Sequence, residues 1–212
     1  MNTGISRLRR VVAMMISLGA AILFLALFIF MTARAGSDAG STRATNFVNP
    51  GLSDKVVVVN FTGTINIVDT ATDIVYGPYL SGTLGSCGGG VFDVAVTPDG
   101  KTALISNFGD AAVFFVDVSN PLSPSVIISL TMPMFAEDIA ISHDGKFALV
   151  TDGGFNRYVA SIDIISRTLV YTADLGTRYA NAVSIAPDGT VILADYFSGE
   201  VHSMILEPSG VL

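Results

Sequence analysis

The chain has 212 residues, with 18 acidic and 11 basic side chains, two histidines, one cysteine and a formal net charge of −7. An acidic balance excludes nucleic acid as the natural partner, and a single cysteine excludes a framework of intrachain disulfides. Half of the residues are hydrophobic and only 14% are charged, and part of that apolar excess is concentrated at the N-terminus.

Arg7, Arg9 and Arg10 precede an apolar run from Val11 to Met31, 21 residues interrupted only by Ser17 and Gly19, and Ala33-Arg34-Ala35 follows. A basic flank, an apolar core and an Ala-x-Ala site make residues 1–35 a secretory signal. The run is also long enough to span a bilayer as a retained anchor helix. Either reading exports the rest of the chain to the periplasm, the cell surface or the medium, with membrane contact only through this segment. Residues 36–54, rich in Ser, Thr, Gly and Asn, read as a flexible linker. Residues 1–35 hold four of the 11 basic residues and no acid, so the remainder carries 7 basic and 18 acidic side chains, −11. That suits a soluble exported domain and disfavours anionic head groups.

From residue 55 to 212 the chain repeats itself. Phe92-Asp-Val-Ala-Val-Thr-Pro-Asp-Gly100, Glu137-Asp-Ile-Ala-Ile-Ser-His-Asp-Gly145 and Asn181-Ala-Val-Ser-Ile-Ala-Pro-Asp-Gly189 set steps of 45 and 44 residues. Each is followed by a β-rich run ending in Asn or Asp (Asn107, Asp152, Asp195), a turn with Gly or Asp, and a second run. Val56-Val-Val-Val-Asn60 and Ile65-Asn-Ile-Val-Asp69 show the second half of a fourth copy. Short apolar runs bounded by turn residues predict strands, and the period fits four-stranded blades rather than helical repeats. An antiparallel blade has two apolar faces, and stacking blades about an axis buries both. The expected fold is all-β.

The Pro98-Asp99-Gly100-Lys101 turn, the Asn or Asp that follows it and the Val-x-Val-Asp strand resemble the YVTN family of β-propeller repeats. Val113-Phe-Phe-Val-Asp-Val-Ser-Asn-Pro-Leu-Ser-Pro124 is similar to the related LVIVD repeat. The resemblance extends over residues 55–212, about three quarters of the chain. It implies four-stranded antiparallel blades belonging to a ring of about seven. Families with such repeats include bacterial surface and periplasmic proteins, lactonase-like hydrolases and quinoprotein-like dehydrogenase subunits. The third unit departs from the pattern with Ala182 where the others have Asp93 and Asp138.

Little in this sequence carries chemistry. His143 lies in an Asp-Gly turn and His202 in a strand, with no neighbouring ligand at metal-binding spacing. Ser142-His143-Asp144 cannot form a relay, because triads are assembled from distant segments. Cys87, in Gly85-Ser-Cys-Gly-Gly-Gly90, has no partner, and these glycines open no helix to hold a phosphate. No catalytic residue, metal ligand or cofactor is expected. The candidate ligand-binding residues are those that recur near the propeller mouth: Asp93 and Asp138, opening the first strand, and Asn107, Asp152 and Asp195, ending the second. The competing reading makes them caps of their own turns. Recurring Phe61, Phe108, Phe155, Tyr196 and Phe197 read as packing between blades.

Strand counting gives three for the first unit, four for each of the next two and three for the last, or three and a half to four blades. An open half ring exposes a blade face at each end, forfeiting burial comparable to a domain's stability. Completion by further blades in a longer polypeptide, by self-association, or as a small four-bladed unit are the alternatives, with Phe47-Val48 available to latch the last blade. The function expected is that of an exported, non-catalytic binding or scaffold module whose partner is a protein or envelope ligand. The alternative is a lactonase-like hydrolase using carboxylates at the mouth.

Overall fold

The computed structural model describes the backbone of residues 42–44 and residues 55–85, 90–154 and 156–212. The signal or anchor segment, most of the linker, Phe47-Val48, Cys87 and Phe155 lie outside the described residues.

Among the described residues, fifteen strands form four antiparallel sheets. The first holds β1 (Thr42–Ala44), β2 (Lys55–Asn60), β3 (Thr64–Asp69) and β4 (Ile74–Tyr79), in that spatial order. The second holds β5 (Val91–Val96), β6 (Thr102–Asn107), β7 (Ala112–Asp117) and β8 (Ser125–Thr131). The third holds β9 (Ala136–Ile141), β10 (Phe147–Asp152), β11 (Tyr158–Asp163) and β12 (Thr168–Asp174). The fourth has three strands among the described residues, β13 (Ala182–Ile185), β14 (Thr190–Ala194) and β15 (Val201–Ile205). These are the four expected units, with one correction. The first sheet has four strands rather than three, because β1 pairs with β2 in the register Thr42↔Asn60 to Ala44↔Val58. β1 comes from within the segment read as a linker. It offers no apolar run to the eye, since a short strand is held by the backbone groups of the edge it covers.

The hairpins follow from their turn residues. Between β5 and β6, Gly100 N–H donates to the Thr97 carbonyl (2.8 Å) with Gly100 at φ +71°, a conformation glycine adopts without steric cost. Asp99 Oδ1 accepts from both Thr97 Oγ1 (2.6 Å) and Lys101 N–H (3.1 Å). Ser142 and Asp144 repeat this device at 2.7 Å between β9 and β10. The Ser-His-Asp sequence is therefore a turn clasp, and its His143 is exposed.

The second and third sheets bury their inner strands, and the last strand of each sheet is wet. β6 and β10 are buried almost throughout, whereas β4, β8 and β12 are mostly exposed. Three separate apolar cores lie between successive sheets. Val57, Val59, Ile65 and Ile67 pack with Val94, Ile105 and Phe114. Leu104, Val113 and Phe115 pack with Ile139, Val150 and Ile162. Leu149 and Val159 pack with Val191 and Leu193. Stability is thus distributed over nearest-neighbour junctions, as in other stacked-repeat architectures.

Candidate functional site

The sequence-predicted site residues lie at one end of the sheets, where β6, β10 and β14 finish and β5, β9 and β13 begin. Asn107, Asp152 and Asp195 perform one local task there. The Asn107 amide donates to the Leu84 carbonyl (2.7 Å) and its Oδ1 accepts from Asp110 N–H (2.8 Å). Asp152 accepts from Phe135 N–H (3.2 Å), Gly154 N–H (3.0 Å) and Asn156 N–H (2.8 Å). Asp195 accepts from Tyr179 N–H (3.2 Å), Phe197 N–H (2.8 Å) and Ser198 N–H (3.1 Å). Each side chain caps the turn after its strand and also ties down the segment leading into the first strand of its own sheet. All three are buried. Burial pushes the Asp195 carboxyl up, but the donors from Ser198, Tyr179 and Phe197 outweigh it and hold the group below its ordinary value of 3.8.

Asp93 and Asp138 act between sheets. Asp93 Oδ2 accepts from Ile139 N–H on the next sheet (3.2 Å), and Asp138 Oδ2 accepts from Val183 N–H (2.8 Å), 45 residues away. Both residues are buried. A register shift lies beside each, between Val91 and Asp93 on β5 and opposite Val150 and Asp152 on β9. A bulge of this kind re-aims a side chain, here toward the neighbouring strand. β13 runs in unbroken register with β14 and has Ala182 at this point.

Several residues of this end escape sequence reasoning. Ser106 Oγ accepts from Asp93 N–H (2.9 Å) and donates to the Glu137 carbonyl of the next sheet. Thr151 Oγ1 accepts from Asp138 N–H (3.1 Å), and Glu137 Oε2 accepts from the Asn181 amide (3.2 Å). A row of rings crosses three sheets. Phe61 meets Phe92 at 5.8 Å between centroids, Phe92 meets Phe108 at 5.3 Å, and Phe108 stacks on Phe135 at 4.8 Å. Tyr179 packs on Phe197 at 4.8 Å, with the Arg157 guanidinium 4.8 Å above the Tyr179 ring. Phe92 opens its repeat at the place that Glu137 and Asn181 hold in the next two, so its ring does not recur, and Phe135 lies in a connecting segment. Among the described residues, no group of three or more His, Cys, Asp or Glu side chains is arranged to hold a metal ion. His202 and Glu200 come within 3.7 Å as a local pair.

No family model and no curated protein matches the chain. Solved structures do. The β-propeller domain of Cps50 (Swd1) from Myceliophteria thermophila matches with a TM-score of 0.59 and 13% identity, over 71% of this chain and 49% of that one. The fold is a β-propeller. A functionally unknown protein from Desulfotomaculum acetoxidans matches with a TM-score of 0.65 and 18% identity, over 75% of this chain and 49% of that one. Hydrazine synthase from Kuenenia stuttgartiensis matches with a TM-score of 0.57 and 22% identity, over 81% and 53%. The propeller sheets described here therefore span about half the length of these structures. Identities this low speak to the propeller architecture alone.

Proposed function

We propose that the chain is an exported, non-catalytic propeller of the YVTN and LVIVD repeat kind, serving as a binding or scaffold module at the cell envelope. The observation that carries this reading is the equivalence of the mouth. Asn107, Asp152 and Asp195 each tie the turn after their strand to the segment leading into their own sheet in three successive blades, Asn107 by donating to a carbonyl where the two aspartates accept from an N–H, and Asp93 and Asp138 do the same job at two successive junctions. Catalysis asks for a constellation in which one blade differs from the next, with groups free to meet a substrate. A scaffold works with repetition. The basic flank and apolar run of residues 1–35 support export.

The test has two parts. Fractionation of cells expressing the natural gene is expected to place the protein in the envelope or the medium, and a cytoplasmic pool would contradict export. Lactonase assays with and without calcium or magnesium are expected to show no turnover above background. Metal-dependent turnover abolished by Asp138→Asn would establish the hydrolase alternative.

A further inference from the structure

We propose that the row of phenylalanines at the mouth end of the first three blades is a docking surface for an extended, arginine-bearing peptide segment of a partner protein. The inference rests on the binding-module reading above and names the partner for it.

Phe61, Phe92, Phe108 and Phe135 run in contact from the turn after β2, through the start of β5 and the turn after β6, to the connector into β9. Phe92, Phe108 and Phe135 belong to the second and third blades, which have neighbours on both sides, so the open surface here is the end of the sheets and not a blade face. Phe61 and Phe135, at the two ends of the row, are 39% and 42% exposed, and Phe92 and Phe108 are half-buried between them. A ring that only joins blades is covered, as Phe115 is. The row is also held firmly. Gly90, at φ +104°, donates its N–H to the Phe61 carbonyl (3.0 Å) and accepts from Phe108 N–H (2.7 Å), so one residue ties the first blade's turn to the second's. Phe135 is fixed at both backbone groups, its N–H by Asp152 Oδ1 (3.2 Å) and its carbonyl by Gly153 N–H (2.9 Å). A Cβ at Gly154 would come within 2.7 Å of the Phe135 ring, so glycine is what lets the third blade's turn approach it. Exposed rings that are fixed before a partner arrives reduce the ordering cost of binding, and contiguous apolar patches of this kind mark interaction sites.

Charge selects the partner. The segments that carry and border the row, residues 60–64, 80–93, 107–111, 131–138 and 152–156, contain five carboxylates and no Lys or Arg. Lys101, Lys146 and Arg167 lie in hairpin turns at the opposite end of the sheets. A Cβ at Gly153 would meet both Glu137 Oε2 (2.8 Å) and a ring carbon of Phe108 (2.9 Å), which places a carboxylate beside the stacked Phe108–Phe135 pair. The Asn181 amide donates to the same oxygen (3.2 Å), a neutral partner that orients the carboxylate and leaves its charge in place. A ring next to a carboxylate favours a cation, and a planar guanidinium stacks on the ring while its N–H groups reach the carboxylate. The chain uses this chemistry itself one junction further on, where Arg157 lies 4.8 Å over the Tyr179 ring and donates to its hydroxyl (3.0 Å). Ring-to-ring steps of 5.8, 5.3 and 4.8 Å fit an extended segment of about five residues. A single amine would cover only part of the row.

The test titrates fluorescein-labelled Arg-Gly-Arg-Gly-Arg against the native protein by fluorescence anisotropy, beside the same peptide with citrulline in place of arginine, and with cellopentaose as a competitor. Saturable binding of the arginine peptide alone is expected. Phe61→Leu with Phe135→Leu keeps every charge and most of the apolar volume, and should weaken binding about tenfold, as should Glu137→Gln. Circular dichroism of both variants should match the parent. Attraction to the net charge alone would leave the leucine variant binding as the parent does, and that result overturns the proposal. So would equal binding of the citrulline peptide, or displacement by cellopentaose, which would make the row a neutral-peptide or sugar site. Absence of arginine-peptide binding in a protein that is found in the envelope and lacks lactonase turnover strikes this surface alone, whereas a cytoplasmic pool or turnover strikes the reading on which it rests.

Discussion

Asp138 shows how a repeated carboxylate holds one blade to the next. Its Oδ2 accepts from Val183 N–H at 2.8 Å and its own N–H is satisfied by Thr151 Oγ1, so the strand start of one blade is fixed to that of the next. Asp138→Ala leaves a backbone donor at the junction without its partner, a loss of about 1–3 kcal/mol. Asp138→Asn keeps an acceptor and should cost clearly less. Urea unfolding of both variants measures the difference, and equal losses would mean that charge rather than hydrogen bonding holds the junction. Acid tests the turn carboxylates as a group. Asp99 and Asp195 experience burial that pushes them up, but Thr97 and Lys101 in one case and Ser198, Tyr179 and Phe197 in the other hold them below 3.8. Asp144 is held low first by Ser142. Between those lowered values and 3.8 the unfolded chain binds more protons than the folded one, so stability rises with pH across that window. It is fully present above about pH 5 and is lost as pH falls below about 4. The urea midpoint should follow that course between pH 6 and pH 3, less steeply in Asp144→Asn, and a midpoint that rises on acidification would contradict the assignment.

The same place in two blades experiences two environments. Leu149 is 0% exposed between the third and fourth blades, and Ile192, its counterpart, is 40% exposed. Leu149→Ala should cost about 2–5 kcal/mol at any protein concentration, since it opens a cavity within the chain. Ile192→Ala should cost much less, since a side chain 40% exposed leaves a smaller cavity behind it. Urea unfolding of both variants measures the difference, and a loss for Ile192→Ala as large as that for Leu149→Ala would contradict the unequal burial of the two places. The blades themselves were legible in the sequence because their signals are local. Apolar runs, Asp-Gly turns and a step of 44 or 45 residues all lie within short windows. β1 was not legible, because Thr42–Ala44 has no apolar pattern and its pairing is through the backbone. At the mouth, the recurrence of Asp93 and Asp138 was visible, but their acceptor role depends on Ile139 and Val183 in another blade. The register shift that aims them appears only when two strands are aligned. Phe92 and Phe135 escaped for a related reason, since their contacts with Phe108 cross from bulge and connector to turn.

Across the four blades, the three cores make stability a sum of junction terms, so local opening should follow the number of covered faces. β6 and β10 sit inside their sheets with neighbours on both faces, and their residues are buried almost throughout. β15 has alternate residues exposed along its whole length, and β4 and β12 are exposed along most of theirs. Hydrogen exchange followed by mass spectrometry should therefore find the slowest amides in β6 and β10 and faster ones in the outer strands. Uniform protection across the strands would contradict the junction picture, since a single cooperative core opens everywhere at once.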